Sequence, residues 1–145
     1  MVKLSKDQFE KLFSADEANA LIPRLEVLMR KLQMQAVSMR ACLEELSEQD
    51  PEIVQLPFKD AARRHPQLRS FAAAMAEAAE EIESLGCFLK DLEQGLVDFP
   101  ADDGSGGVVF LCWQFGEPQI VAWHSIDSGF ASRQPLPGAP KLYLN

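Results

Sequence analysis

The spacing of apolar residues between Ala18 and Leu46 constrains the fold more than any other feature of the sequence. These residues recur every three or four positions, with one polar interruption at Gln35: Ala18, Leu21, Leu25, Leu28, Leu32, Met39, Cys42 and Leu46. Because an α-helix brings such positions onto one face, the pattern predicts a core-facing helix from about Ala15 to Glu48, roughly 50 Å long. Ser14 and Glu17 form a capping-box pattern at its start. Pro23 lies inside it and predicts a kink, with a break at that point as the alternative.

A second helix is predicted further along the chain. Residues 49–60 contain Pro51 and Pro57 and lose the period, which indicates a connection. The period then returns, and the second helix is expected to begin between Asp60 and Pro66 and to end at Leu85, before Gly86. Residues 14–85 would thus form an antiparallel helical hairpin.

Opposite charges support this antiparallel pairing. The first helix ends in acids and the second begins with bases: Glu44, Glu45 and Glu48 against Arg63, Arg64 and Arg69. The same arrangement would place Arg30 and Lys31 opposite acids near the end of the second helix: Glu80, Glu81 and Glu83.

After Gly86 the pattern indicates strands. Four short apolar segments, at residues 87–90, 96–99, 108–113 and 119–124, are separated by turn-like stretches. Short connections favour antiparallel pairing, so residues 87–133 are expected to form a four-stranded meander. The sequence therefore predicts an α+β fold with a long helical hairpin packed on a small antiparallel sheet. At this length we expect a single domain over residues 1–145, with an extended tail at 134–145.

The third predicted strand, Val108 to Trp113, is apolar on both faces. A sheet with one wet face should alternate, so both faces should be covered. The hairpin would cover one face, and the tail or a second subunit would cover the other. The second possibility leads us to expect a homodimer.

Composition excludes several classes of protein. The net charge of −8 argues against binding to nucleic-acid phosphates. No apolar run approaches the ~18 residues of a membrane span. The start of the sequence has no apolar signal core, and three widely spaced cysteines suit reduced thiols, so a cytoplasmic protein is expected.

The candidate functional residues cluster near the end of the meander. They are His124, Asp127, Arg133, Glu117, Trp113, Trp123 and Asp98. We expect Asp127 to accept a hydrogen bond from His124 and Arg133 to fold back onto that carboxylate. Three interpretations follow: a network that pins loop 125–133 to the sheet, a metal or catalytic site, or an anion site using Arg133. The tryptophans are interpreted as core or interface anchors, and Glu117 as a turn residue.

A divalent-metal site, with hydrolytic chemistry as one outcome, would draw on His124, Asp127, Glu117 and Cys112. Cys112 and His124 could also form a nucleophile and its base. If residues 115–118 form a four-residue loop, however, Cys112 pairs with Val121, and His124 points to the opposite face. A bulge or an odd loop would reverse this. Asp91 and Asp98 could share a cation, although capping of the turn between them is the preferred interpretation.

Three motifs resemble a known family. They are Phe13-Ser14-x-x-Glu17-Ala18-Asn19-x-Leu21-x-Pro23, Lys90-Asp91-Leu92-x-x-Gly95-Leu96-Val97-Asp98-Phe99-Pro100 and Leu111-Cys112-Trp113-x-x-Gly116-Glu117-x-x-Ile120-x-x-Trp123-His124-x-x-Asp127-x-Gly129-Phe130-x-x-Arg133-x-Pro135. The chain resembles, over about residues 13–137, a group of small bacterial proteins classed as domain-of-unknown-function family 2203. The resemblance implies a bacterial cytoplasmic protein and no particular activity. It also suggests that His124, Asp127, Arg133, Glu117 and Asp98 belong to one motif set.

The favoured hypothesis is a non-enzymatic assembly or interaction module with a polar motif at the sheet end. A metal-binding protein using His124 with Asp127 or Glu117 is the first alternative, and a binder of a small anionic ligand through Arg133 is the second. Whether the protein is an enzyme stays open at this stage.

Overall fold

The computed structural model describes residues 8–137. Three α-helices precede five strands: α1 (Ala15–Gln49), α2 (Phe58–Arg64), α3 (Leu68–Ser84), β1 (Phe88–Asp91), β2 (Leu96–Asp102), β3 (Val108–Gln114), β4 (Ala122–His124) and β5 (Gln134–Pro135). Short 3-10 turns occupy Pro51–Gln55 and Phe130–Ser132. The α+β architecture is confirmed, with five strands in place of the expected four.

Helix α1 follows the sequence prediction closely. Ser14 accepts a hydrogen bond from the Glu17 amide, and the Glu17 carboxylate accepts one from the Ser14 amide, which completes the capping box. The helix continues through Pro23, so the alternative of a break there is wrong. Among the described residues, no helix combines the length and the apolar character needed to cross a membrane.

The second predicted helix is in fact two helices. Residues 65–67 interrupt it because Pro66 lacks an amide proton and disfavours helical geometry in the residue before it. Helix α3 runs antiparallel to α1, since Leu68 packs near Leu46 at one end and Ile82 shares a core cluster with Ile22 at the other.

The ion pairs between the helices differ from those predicted. Arg24 of α1 pairs with Glu81 of α3. The sequence had predicted that Arg30 and Lys31 would lie opposite the acids of α3. Arg64 contacts Asp50 and Glu52, which follow the acidic end of α1. These pairs lie at the surface, where solvent screening keeps the contribution of each pair to stability small.

The sheet is an antiparallel meander with the strands in chain order. At one edge, the pairing of β1 with β2 is irregular between Leu89 and Asp91. The connection from β3 to β4 spans seven residues, 115–121, and its Ile120 amide donates to the Asn19 side chain of α1 at 2.6 Å. An odd connection changes the parity of the pairing, so Phe110 lies opposite His124 and Cys112 opposite Ala122. Cys112 and His124 therefore share a face, and the prediction of opposite faces is wrong.

The two faces of the sheet have different coverings. Val97, Phe99, Leu111 and Trp113 belong to the core that also contains the apolar faces of α1 and α3. The other face, called the far face, carries Asp98, Phe110, Cys112 and His124.

In the described part of the chain, two segments cover the far face, as the double apolar pattern of β3 predicts, and neither of them belongs to the tail. Phe130, from the segment after β4, packs against the cluster that contains Cys112. Phe9 packs its ring 6.0 Å from that of Phe110. The predicted cover was the tail or a second subunit. Part of the tail forms β5 beside β4, and Leu136 joins the core on the helix side; residues 138–145 lie outside the described part.

Gly95 is a position where the fold requires glycine. Its φ is +70°, and a Cβ there would lie 2.6 Å from the Phe115 Cβ. Gly104 also has a positive φ, +89°, but nothing lies within 4 Å of its Cβ position. We therefore expect Gly95→Ala to lower the free energy of unfolding by about 1–3 kcal/mol more than the matched Gly104→Ala. Urea denaturation followed by tryptophan fluorescence measures both, and equal losses would contradict the steric argument.

Candidate functional site

A buried histidine–aspartate pair spans three strands of the far face. His124 ends β4, Asp98 lies in the middle of β2, and β3 runs between them. His124 Nε2 lies 3.0 Å from Asp98 Oδ2, and both side chains are less than a tenth exposed. The acid next to the imidazole is thus Asp98, whereas the sequence had pointed to Asp127. Asp127 is exposed on the loop that follows β4.

The hydrogen bonds of His124 occupy both of its ring nitrogens. Its Nδ1 lies 2.8 Å from the Ser125 carbonyl oxygen, which can only accept, so Nδ1 carries a proton. Its Nε2 faces the Asp98 carboxylate. The hydrogen bond to Asp98 raises the pKa of His124 against the opposing effect of burial. With both ring nitrogens engaged by protein groups, His124 has no free lone pair for a metal ion or for use as a base.

A second buried ion pair holds Arg133. Its Nη2 lies 3.0 Å from Glu117 Oε2, and the two side chains are 6% and 9% exposed. Glu117 Oε1 also accepts from the Gln114 amide at 2.7 Å. Glu117 Oε2 is sealed from solvent and meets the guanidinium without the alignment of a hydrogen bond, so the attraction there is mainly Coulombic. Arg133 thus contacts Glu117 instead of the expected Asp127, and an anion would have to displace a buried carboxylate to reach it.

Cys112 lies between the two pairs. It sits opposite Asp98 in β2, and its Sγ is 3.9 Å from Arg133 Nη1. Burial raises the pKa of the Cys112 thiol to about 11. The thiol is therefore protonated at neutral pH, and His124 has no free ring nitrogen to take its proton. Although Cys112 and His124 share a face of the sheet, they do not form a nucleophile and its base.

The remaining predicted residues have structural roles. Trp113 is fully buried, and its indole Nε1 donates to the Glu117 carbonyl at 2.9 Å. Trp123 is half-buried and packs against the core on the helix side. Asp91 accepts from the Gln94 amide at 2.9 Å, as the capping interpretation predicts. Within residues 8–137, no group of three or more His, Cys, Asp or Glu side chains is arranged to hold a metal ion.

A cleft of about 190 Å³ opens beside the histidine–aspartate pair. We call it the far-face cleft; it is lined by Lys90, Leu96, Asp98, Phe110, His124, Ile126, Ser128, Gly129 and Phe130. The sequence interpretation had not assigned Lys90, Phe110 or Ser128 to a site. Lys90 does occur in the second quoted motif, which was a usable signal. No sequence signal pointed to Phe110, because the residues of β4 that lie beside it depend on the register between β3 and β4.

The comparison with known families is decisive for classification. A family model described as an uncharacterised conserved protein, DUF2203, matches residues 11–136. The chain belongs to the DUF2203 family. No curated protein and no solved structure matches it. The DUF2203 match covers both ion pairs and the far-face cleft, so these features lie within the part of the chain that defines the family.

The Arg133–Glu117 pair of this DUF2203 protein can be tested by a double-mutant cycle. Removing one partner leaves a buried charge unpaired, so Arg133→Met or Glu117→Gln should each lower the free energy of unfolding by about 3–5 kcal/mol. The double variant should lose clearly less than the sum of the two losses, because neither charge is left alone. Chemical denaturation gives all four values. Additive losses would show that the two side chains do not interact.

The His124–Asp98 pair predicts a pH dependence of stability. Because the folded pKa of His124 is raised, its stabilising contribution is complete below the unfolded pKa, about 6.5, and declines as pH rises through the folded value. The difference in unfolding free energy between wild type and His124→Gln should therefore shrink as the pH rises above about 6.5 and through the folded pKa. Urea denaturation across that range measures it, with Asp127→Asn as a control expected to track wild type. A difference that stays constant or grows with pH would contradict the assignment.

Proposed function

We propose that this protein is a non-enzymatic assembly module that pairs with a second copy of itself through helix α1. The charged groups of its polar motif support this view, because His124, Asp98, Arg133 and Glu117 bind one another beneath a loop. Such pairs fasten a structure and leave no activated nucleophile or base in that motif. The observation that carries the proposal is an unpartnered apolar surface on α1.

This surface, the α1 stripe, consists of Val27, Met34 and Val37. These side chains are 55%, 63% and 62% exposed. Their spacings of seven and three residues place them on one face of the helix. Single exposed apolar residues are ordinary, but an aligned set on one long helix is typical of a surface that packs against a second helix.

The charges along α1 favour an antiparallel second copy as the occupant. Exposed Arg30 and Lys31 lie in the N-terminal half of the stripe region, and exposed Glu44 and Glu45 follow it. A two-fold axis between Val37 and Ser38 sets Arg30 against Glu45 of the partner subunit and Lys31 against Glu44 of the partner subunit. Met34 and Val37 of both copies then lie near the axis, and Val27 lies at the margin of the interface. A self-complementary patch is what a two-fold interface requires. A parallel pairing would instead bring like charges together.

The size of the α1 stripe determines how tightly we expect the two copies to bind. Two large apolar side chains near the axis on each copy, Met34 and Val37, with exposed ion pairs around them, give a narrow interface in which the charges select orientation more than they add affinity. We expect dissociation in the micromolar range, where the binding free energy is about −8 kcal/mol.

Sedimentation velocity tests this pairing. At about 100 µM, well above a micromolar dissociation constant, the wild-type chain should sediment as a dimer. Met34→Glu should sediment as a monomer, because it places a charge in the centre of the interface. Val54→Glu is the matched control: Val54 is 67% exposed but lies outside the α1 stripe, and its variant should remain a dimer. A wild-type monomer, or equal effects of both variants, would overturn the proposal.

Charge reversal tests the antiparallel register. Arg30→Glu should weaken the dimer, because it faces Glu45 of the partner subunit. The double variant with Glu45→Arg should restore dimerisation by exchanging the two charges. Failure of the double variant to recover would exclude this register.

A further inference from the structure

We propose that the far-face cleft is a binding site for a small aromatic carboxylate, independently of assembly through α1. The cleft combines a flat apolar lining, a charged floor and a basic rim. Each of these features restricts the chemistry of the ligand.

The apolar lining suits a single ring. Phe110 from β3 and Phe130 from the 3-10 turn contribute aromatic surface to the cleft. Its volume of about 190 Å³ is below the roughly 300–1,000 Å³ of pockets for drug-sized ligands. One planar ring with a short substituent is therefore the size that the cleft can hold, and ring–ring contacts would stabilise it.

The charges of the cleft favour an anion. Asp98 is paired with His124, so the ammonium of exposed Lys90 is the positive charge in the lining that an anion can reach. Lys90 Nζ lies 5.5 Å from the centroid of the Phe110 ring and 5.8 Å from that of Phe88. Cation–π attraction to both rings holds this ammonium at the rim, although the side chain is exposed. In a chain of net charge −8, the cleft thus presents a local cationic surface.

The floor adds an acceptor. Asp98 uses Oδ2 for His124, and no donor to Oδ1 is found among residues 8–137. A hydroxyl or amino group on the ring, placed opposite its carboxylate, could donate to this oxygen while the carboxylate meets Lys90. We therefore expect 4-hydroxybenzoate to bind more tightly than benzoate.

Isothermal titration calorimetry of the full chain with defined probes tests the site. 4-Hydroxybenzoate and benzoate should bind saturably, in that order of affinity. The neutral isostere 4-hydroxybenzamide should bind at least about tenfold more weakly, because it lacks the charge that Lys90 recognises. Saturable binding by neither carboxylate would overturn the proposal, and so would equal binding of the amide.

A matched pair of lysine variants locates the binding. Lys90→Met should weaken binding of 4-hydroxybenzoate about tenfold and leave the denaturation midpoint unchanged. Lys11→Met is the control, because Lys11 Nζ also lies over a ring, 4.9 Å from that of Phe13, but outside the cleft. Equal affinities of Lys90→Met and wild type would place the ligand elsewhere and overturn the assignment. Sedimentation of Lys90→Met should match wild type, so a failure here is distinguishable from a failure of self-assembly.

Discussion

Two buried ion pairs hold the segment after β4 against the far face of the sheet, where the apolar cluster is small. His124 with Asp98 ties one end of this segment to the sheet, and Arg133 with Glu117 ties the other end to the connection between β3 and β4. A buried charge without a partner is strongly destabilising, whereas a well-bonded pair approximately offsets its desolvation cost. The pairs therefore act less as a source of net stability than as a constraint on conformation. Other arrangements of this segment would leave buried charges unpaired. The segment therefore stays on the far face and covers it.

How far the sequence predicts the fold depends on whether a feature is local. Helix α1 was predictable because its period, its capping box and its length all lie in contiguous residues. The register of β3 with β4 was not, because the parity of one connection decides it, and that connection is fixed by the Asn19–Ile120 bond between residues 101 positions apart. The same reason explains why the sequence pointed to Asp127 as the partner of His124, when the partner is Asp98. Asp127 is nearest to His124 along the chain, but a sheet brings together residues from different strands, and only the register shows which.

The two proposed functions use opposite layers of the molecule. The α1 stripe belongs to the helical layer, on the longest element of the chain. The far-face cleft lies on the other side of the sheet, under the segment that the ion pairs hold. Self-association through the helix would leave the cleft open, so neither surface limits the other. The polar motif has a physical role at the cleft: its ion pairs hold the shape of the far face and place His124 and Asp98 in the lining.

The edges of the sheet have a consequence for how copies of this chain can meet. One outer strand, β1, is interrupted by its irregular pairing between Leu89 and Asp91 and carries a lysine; the other, β5, is two residues long and ends in Pro135. Bulges, charges, prolines and short length are the devices by which natural sheets prevent the addition of further strands from neighbouring molecules. The addition of strands from one molecule after another, which would build a fibril, is therefore disfavoured at both edges of the sheet. Contact between molecules is directed to side-chain surfaces, where association can close at a defined number of subunits.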